Sequence, residues 1–279
     1  MGKIYLILPY FGIFPTYFQL YLDSLSINKS ILTVLILSDI PIGSYILPEN
    51  AIFSHMTLEN VKERIITFFK EEYNKIVCKQ DILNNNYKLC DFRPVFFNIF
   101  SDKVAALNLS SEDYVGWGDC DLIYGNISSF LNLDNQKYSF VGIHGHFTAF
   151  RYTQQLINLY KKIKNLDEFL LNPKYVGTDE LHLRKIILEM IKLDNHTEFP
   201  VREYFCDILP GRKMIKSSEK KNIIDHLIFD RVNKRLIYKT EDCYKDVFYA
   251  HLQKRKMVVN FDKYDDRFLI EESSFELIP

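Results

Sequence analysis

Two aspartates stand one residue apart in the run Gly116-Trp117-Gly118-Asp119-Cys120-Asp121-Leu122-Ile123-Tyr124-Gly125. Alternate side chains of an extended segment point the same way, so Asp119 and Asp121 can converge on one hard cation while Cys120 turns into the fold. Carboxylate ligands, with open positions left for phosphate oxygens, suit Mg2+ or Mn2+. The flanking glycines let a bulky ligand come close to the backbone. The plain alternative is two solvated aspartates at a strand end.

Four further groups could share this chemistry. Asp91 and Arg93 lie upstream, and a guanidinium there could grip a diphosphate with two parallel hydrogen bonds. They could equally pair with each other. His144 and His146 alternate in Gly142-Ile143-His144-Gly145-His146. That spacing suits zinc only with further ligands, and no third one is visible; a hydrogen bond to a substrate hydroxyl or a purely structural role remain. Asp179 and Glu180 follow Gly177-Thr178 and open an expected helix. Acids at a helix N-terminus are favourable for the macrodipole alone. Either could also take a proton from an attacking hydroxyl; they lie about 100° apart on a helix, so one should matter, and Asp179 is preferred. Finally, His251 precedes Lys254, Arg255 and Lys256. A neutral imidazole can serve Mn2+ and the cations can neutralise phosphate, against the alternative of a solvated basic turn.

The elements that must position these groups read as a strand–helix alternation. Lys3 to Leu8 is an apolar strand ending at Pro9, and a helix is expected from near Pro15 to about Ile27. Ile31 to Leu37 is a second buried strand and Ala51 to His55 a short third. Thr57 caps a helix expected to run to about Val77, with Val61, Ile65, Phe68 or Phe69, and Ile76 inward. Continuous apolar strands alternating with helices argue for a largely parallel sheet covered on both faces. Such sheets bind ligands beyond the carboxyl ends of their strands. Tyr10-Phe11-Gly12, Ser38-Asp39 and, after the strand Asp113 to Gly118, Asp119-Cys120-Asp121 all lie at such ends. Tyr138–Ile143 and Phe147–Arg151 read as further strands, and Thr178 or Asp179 begins a helix through about Leu193. Beyond Asn195 come short strands at Ile224–Phe229, Arg235–Tyr238 and Val247–His251, a β-rich lobe on the same domain.

Bulk properties exclude several classes. The 279 residues carry a net charge of −1, so no overall field draws the chain onto nucleic acid. A hydrophobic fraction of 47% allows a sizeable core without a disulfide or metal staple. Five cysteines, none in C-x-x-C spacing, fit a reducing cytoplasm better than a disulfide framework. Ile4 to Leu22 has no charged residue, but Pro9, Gly12 and Pro15 interrupt it. It therefore reads as strand, turn and amphipathic helix rather than membrane span or signal peptide.

The D-x-D behind an N-terminal α/β half resembles glycosyltransferases of the GT-A fold. With Tyr87-Lys88-Leu89-Cys90-Asp91-Phe92-Arg93-Pro94, Gly145-His146-Phe147-Thr148 and His251-Leu252-Gln253-Lys254-Arg255-Lys256-Met257, the chain is similar to an uncharacterised bacterial group of GT-A-like proteins associated with surface polysaccharide synthesis. The resemblance implies one Rossmann-like α/β domain over 1–279, with a mixed, largely parallel sheet. Residues 1–125 would be a nucleotide-binding half, and 126–279 an acceptor half with the C-terminal β-rich lobe. It implies Asp119, Asp121 and His251 as ligands of Mn2+ or Mg2+ on a donor diphosphate. Pro9, Tyr10, Phe11 and Asp39 would lie beside base and ribose; Asp91, Arg93, Lys254 and Arg255 near the diphosphate; His144 and His146 near donor sugar or acceptor; Asp179 or Glu180 would be the base. The expected partners are a nucleotide-sugar donor, UDP-linked by the resemblance, and a glycan or lipid-linked glycan acceptor. A cytoplasmic protein, with peripheral association at the inner membrane face allowed, would fit.

Two rival functions share parts of this pattern. A sugar nucleotidyltransferase would also use metal carboxylates, but only Gly12 stands in the first turn, where such an enzyme wants a glycine-rich phosphate loop. A non-catalytic sugar- or nucleotide-binding protein needs neither the D-x-D nor a base. Retention or inversion of the anomeric centre is not readable from these residues.

Overall fold

The computed structural model describes residues 2–83, 85–133, 137–193, 196–209, 214–217, 223–253, 256–261 and 266–278. Strands β1 (Ile4–Pro9), β2 (Leu32–Ser38), β3 (Ala51–His55) and β4 (Tyr114–Gly118) fall where the apolar runs predict. They form the parallel part of a sheet ordered β3-β2-β1-β4-β7-β6-β8, with β6 at Phe140–His144, β7 at Phe147–Arg151 and β8 at Glu198–Phe199. Beyond β4 the parallel order is interrupted at β7, and β6 and β8 again pair in parallel. β7 runs antiparallel to both β4 and β6, because the two-residue turn Gly145-His146 can only return the chain as a hairpin. The sheet is therefore mixed.

Alternate strand residues feed two cores. Leu6, Leu8, Val34 and Ile36 face helix α1 (Phe18–Ser26) and the C-terminal strands. Ile7, Leu35, Leu37, Val115 and Trp117 face helix α2 (Leu58–Tyr73) and the segments after it. Each fully buried side chain of this size contributes about 1.5–3 kcal/mol, which is why the runs are apolar on both faces. Thr57 and Asn60 close a reciprocal capping box at the start of α2. Asn74, left-handed at φ 50°, ends that helix before Val77. Ile76, expected inward, therefore lies past the helix and is 96% exposed. Helix α1 likewise begins three residues later than expected, after Pro15 and the turn that follows it.

The C-terminal region is β-rich, as expected, and its strands fall in two sheets. One is ordered β11-β10-β9-β15-β5, with β5 at Leu122–Tyr124, β9 at Phe205–Leu209, β10 at Met214–Ser217, β11 at Ile223–Ile224 and β15 at Tyr249–His251. The other contains β12 (Leu227–Asp230), β13 (Arg235–Lys239) and β14 (Tyr244–Asp246) among its strands. The run Ile224–Phe229 thus divides between two sheets. In Val247–His251 only the last three residues are strand. Among the described residues no helix is long and apolar enough to cross a membrane.

Candidate active site

The D-x-D is the three-residue corner between β4 and β5. The Asp119 N–H donates to the His146 carbonyl at 3.0 Å, fastening the corner to the β6–β7 turn. The Asp121 carbonyl accepts from Leu252 N–H at 2.8 Å, fastening it to the end of β15. Gly116 serves packing rather than ligand approach: a Cβ there would sit 1.8 Å from the Thr148 carbonyl oxygen of β7. Cys120 is buried, as expected.

The two carboxylates do not face the same partner. Asp119 is held by the Arg93 guanidinium, whose other terminal nitrogen donates to Asp179 Oδ2 at 2.8 Å. Asp121, nearly fully buried, has its Oδ2 3.8 Å from His251 Nε2. The far nitrogen of that ring, Nδ1, lies 3.0 Å from Asp207 Oδ1. Strand pairing sets this row: His251 lies opposite Leu122 on β5 and opposite Asp207 on β9. Burial works against a charged His251, but the Asp207 hydrogen bond and the Asp121 and Asp119 charges outweigh it and hold the imidazole above its ordinary value.

The other two histidines stay neutral. His146 stacks on His251 with ring centres 3.9 Å apart, and its Nε2 meets Tyr249 Oη at 2.9 Å. His144 stacks in turn on His146 at 5.3 Å. Burial first, then neighbouring cationic groups, push His144 down to about 4 and His146 well below 6.5. Among the described residues no three His, Cys, Asp or Glu side chains are grouped so as to hold a metal ion. The Asp121–His251 pair nevertheless fits a divalent cation. A gap of 3.8 Å is too long for a hydrogen bond, yet within the span of two donors each about 2.1 Å from one ion. Asp207 on the far nitrogen is the outer carboxylate that orients such an imidazole.

Beside the corner opens a cavity of about 620 Å³ at the carboxyl ends of β1 and β4. Pro9, Tyr10, Phe11, Tyr17, Tyr87 and Trp117 line it, as do Arg93, Asp119, Asp121 and Lys256. Tyr10 stacks on Phe14 at 5.2 Å. Burial, with Cys120 and Asp121 adding to it, raises the Tyr10 hydroxyl to about 12, so it remains a neutral donor.

The remaining candidates sit elsewhere. Asp39 is exposed beyond β2 and does not line the cavity. Asp91 is wholly buried and pairs with Lys88 Nζ at 2.8 Å, not with Arg93. It also accepts the N–H groups of Val176, Gly177 and Thr178, which explains a carboxylate there without any diphosphate. Gly177 adopts φ +76°, turning the chain so that Asp179 meets Arg93. The helix expected from Asp179 opens as a π-type turn, Thr178–Leu183, before the α-helix Arg184–Leu193. Asp179 is buried, and burial raises its carboxyl to about 6 against the lowering effect of Arg93. Glu180 is exposed, packed where a Cβ on Gly145 would be. Lys254 and Arg255 lie outside the described residues. Asp207 and Tyr249 escaped the sequence reading; an aspartate and a tyrosine alternating with apolar residues in late strands were the only signal.

Residues 6–279 match a family described as a family of unknown function (DUF6625). The chain belongs to that family. No curated protein matches it. Among solved structures it is similar to the crystal structure of the glycosyltransferase GlyE in Streptococcus pneumoniae TIGR4, at 15% identity over 72% of this chain, with a TM-score of 0.33. The apo-form of the same glycosyltransferase gives 13% identity over 72% of this chain and a TM-score of 0.34. The chain spans 46% of the GlyE chain in each case.

Proposed function

We propose that this protein is a divalent-metal-dependent glycosyltransferase that takes a sugar from a nucleoside-diphosphate donor, UDP-linked by the resemblance, and passes it to a glycan or lipid-linked glycan. One observation carries the reading. The D-x-D corner opens on an aromatic-lined cavity at the ends of β1 and β4, and Asp121 there faces a histidine oriented by Asp207.

Asp121 and His251, with Asp119, would hold Mn2+ or Mg2+. Bound there, the cation would supply Lewis-acid neutralisation of the departing diphosphate. The chain's own residues do the rest. Tyr10, Phe11 and Pro9 line the part of the cavity suited to a base and ribose. Lys256, on the cavity lining, would add positive charge for the diphosphate, while Arg93 is engaged by Asp119 and Asp179. In the inverting form the acceptor oxygen bonds to the anomeric carbon as the bond to phosphate breaks, its electrons leaving with the nucleoside diphosphate. The acceptor's proton goes to a carboxylate. Glu180, exposed beside the β6–β7 turn, would take it rather than Asp179, which is buried against Arg93.

The test uses Trp117, the single tryptophan, which lines the cavity. UDP and UDP-sugars are titrated with and without Mn2+ while its emission is followed. The expected result is a change that needs Mn2+ and disappears in Asp121→Asn, together with release of nucleoside diphosphate from one sugar nucleotide of a panel. Binding that is indifferent both to EDTA and to Asp121→Asn would overturn the reading.

A further inference from the structure

Arg93 and Asp179 are mismatched in a telling way. A guanidinium presents a fork of N–H groups that fits both oxygens of a single carboxylate. Here the fork is split: Nη1 donates to Asp179 Oδ2, while Nη2 goes to Asp119 across the site. Asp179 Oδ1 is left buried with no hydrogen bond from Arg93 or any other side chain. An acceptor stranded in this way is costly, and natural structures rarely keep one without a reason. Arg93 lies on the cavity wall, whereas Asp179 sits behind it and does not line the cavity. The position of Asp179 is itself fixed, because Asp91 grips the three preceding backbone N–H groups.

We propose that Asp179 is the positioning residue of the site: it holds Arg93 as a removable plug on Asp119. When a divalent cation takes Asp119, Arg93 swings Nη2 onto the vacant Asp179 Oδ1 and becomes bidentate. Two discrete arrangements of one arginine thus exist, and the buried oxygen is the second berth. This rests on the metal reading given above. It assigns Asp179 to Arg93, not to an acceptor's proton.

The experiment measures Mn2+ affinity on the full chain from the electron paramagnetic resonance signal of free Mn2+. It compares wild type, Asp179→Asn, Arg93→Lys and the double variant. Asp179→Asn offers Arg93 no second carboxylate, so the plug stays on Asp119. Mn2+ affinity should fall about tenfold, a size typical of coupling between contacting residues. Lysine has one compact ammonium that cannot bridge both acids, so Arg93→Lys should bind Mn2+ at least as well as wild type. Adding Asp179→Asn to Arg93→Lys should then change affinity less than about twofold. Circular dichroism melts confirm that each variant is folded. Where Arg93→Lys does not fold, Arg93→Met with Arg93→Met/Asp179→Asn replaces it in the same comparison. If Asp179→Asn weakens Mn2+ equally with and without Arg93, or leaves it unchanged in wild type, the inference is overturned while the metal site stands. Absence of Mn2+ binding by wild type removes both.

Discussion

His144 gives the most direct check on the electrostatics of the histidine row. Burial, with Arg184, Arg202 and His251 adding to it, lowers the imidazole from 6.5 to about 4. Its Nε2 is buried without a hydrogen-bond partner, which favours the neutral ring. In the unfolded chain the same ring takes a proton near its ordinary value. A depressed folded value means that the contribution to stability is complete above 6.5 and is lost as pH falls towards 4. The gap is about 2.5 units, and at 1.36 kcal/mol each this amounts to about 3 kcal/mol. His144→Gln keeps a polar side chain but cannot titrate. Urea unfolding of both proteins at several pH values between about 7 and 4 should show the wild type losing about 3 kcal/mol more than the variant. The lowered His146 adds its own acid sensitivity to both proteins, and the raised His251 and Asp179 act in the opposite sense in both, so the difference reports His144 together with its coupling to His146 and His251. Identical pH slopes for the two proteins would refute the assignment of a neutral, buried His144.

Two further substitutions test packing. Gly116→Ala would place a Cβ 1.8 Å from the Thr148 carbonyl and 2.7 Å from Ala149 Cα, forcing β4 and β7 apart. A loss of about 3 kcal/mol in urea unfolding is expected, and a wild-type midpoint would contradict the close approach. Asp91→Asn strands the buried Lys88 ammonium and weakens the grip on residues 176–178. It should cost about 3–5 kcal/mol, and a change below about 0.5 kcal/mol would show that the pair is not buried as described.

The legible parts of this protein were those written locally. The run Ile4–Pro9 is apolar throughout and Leu32–Ser38 departs from that only at the buried Thr33 and Ser38, so their strand character and double-sided burial could be read directly. Asp119 and Asp121 stood out because two acids directly after such a run have no packing reason to be there. What stayed hidden depends on partners distant in sequence. Nothing near Arg93 announces that its fork divides between residues 119 and 179, and Asp91 looked like its natural mate at two residues' distance. Asp207 acquires meaning only when β9 and β15 lie side by side in parallel, a pairing whose register local patterning does not specify. The antiparallel return of β7 was implicit in a two-residue connection, yet the strand–helix alternation before it pointed the other way.

β15 is a wedge: three residues inserted between β5 and β9, bringing His251 to Asp121 across about 130 positions of sequence. On a ribosome adding 5–20 residues per second, Asp121 waits roughly ten seconds before His251 has been made. During that interval β5 has an open edge, and open edges invite foreign strands. The nascent chain therefore carries its acidic pair early and its imidazole late. Asp121 and His251 meet with the seating of one short strand rather than with the growth of the main sheet. A chain stopped before residue 249 would keep every residue of the D-x-D and still lack the partner that Asp121 faces.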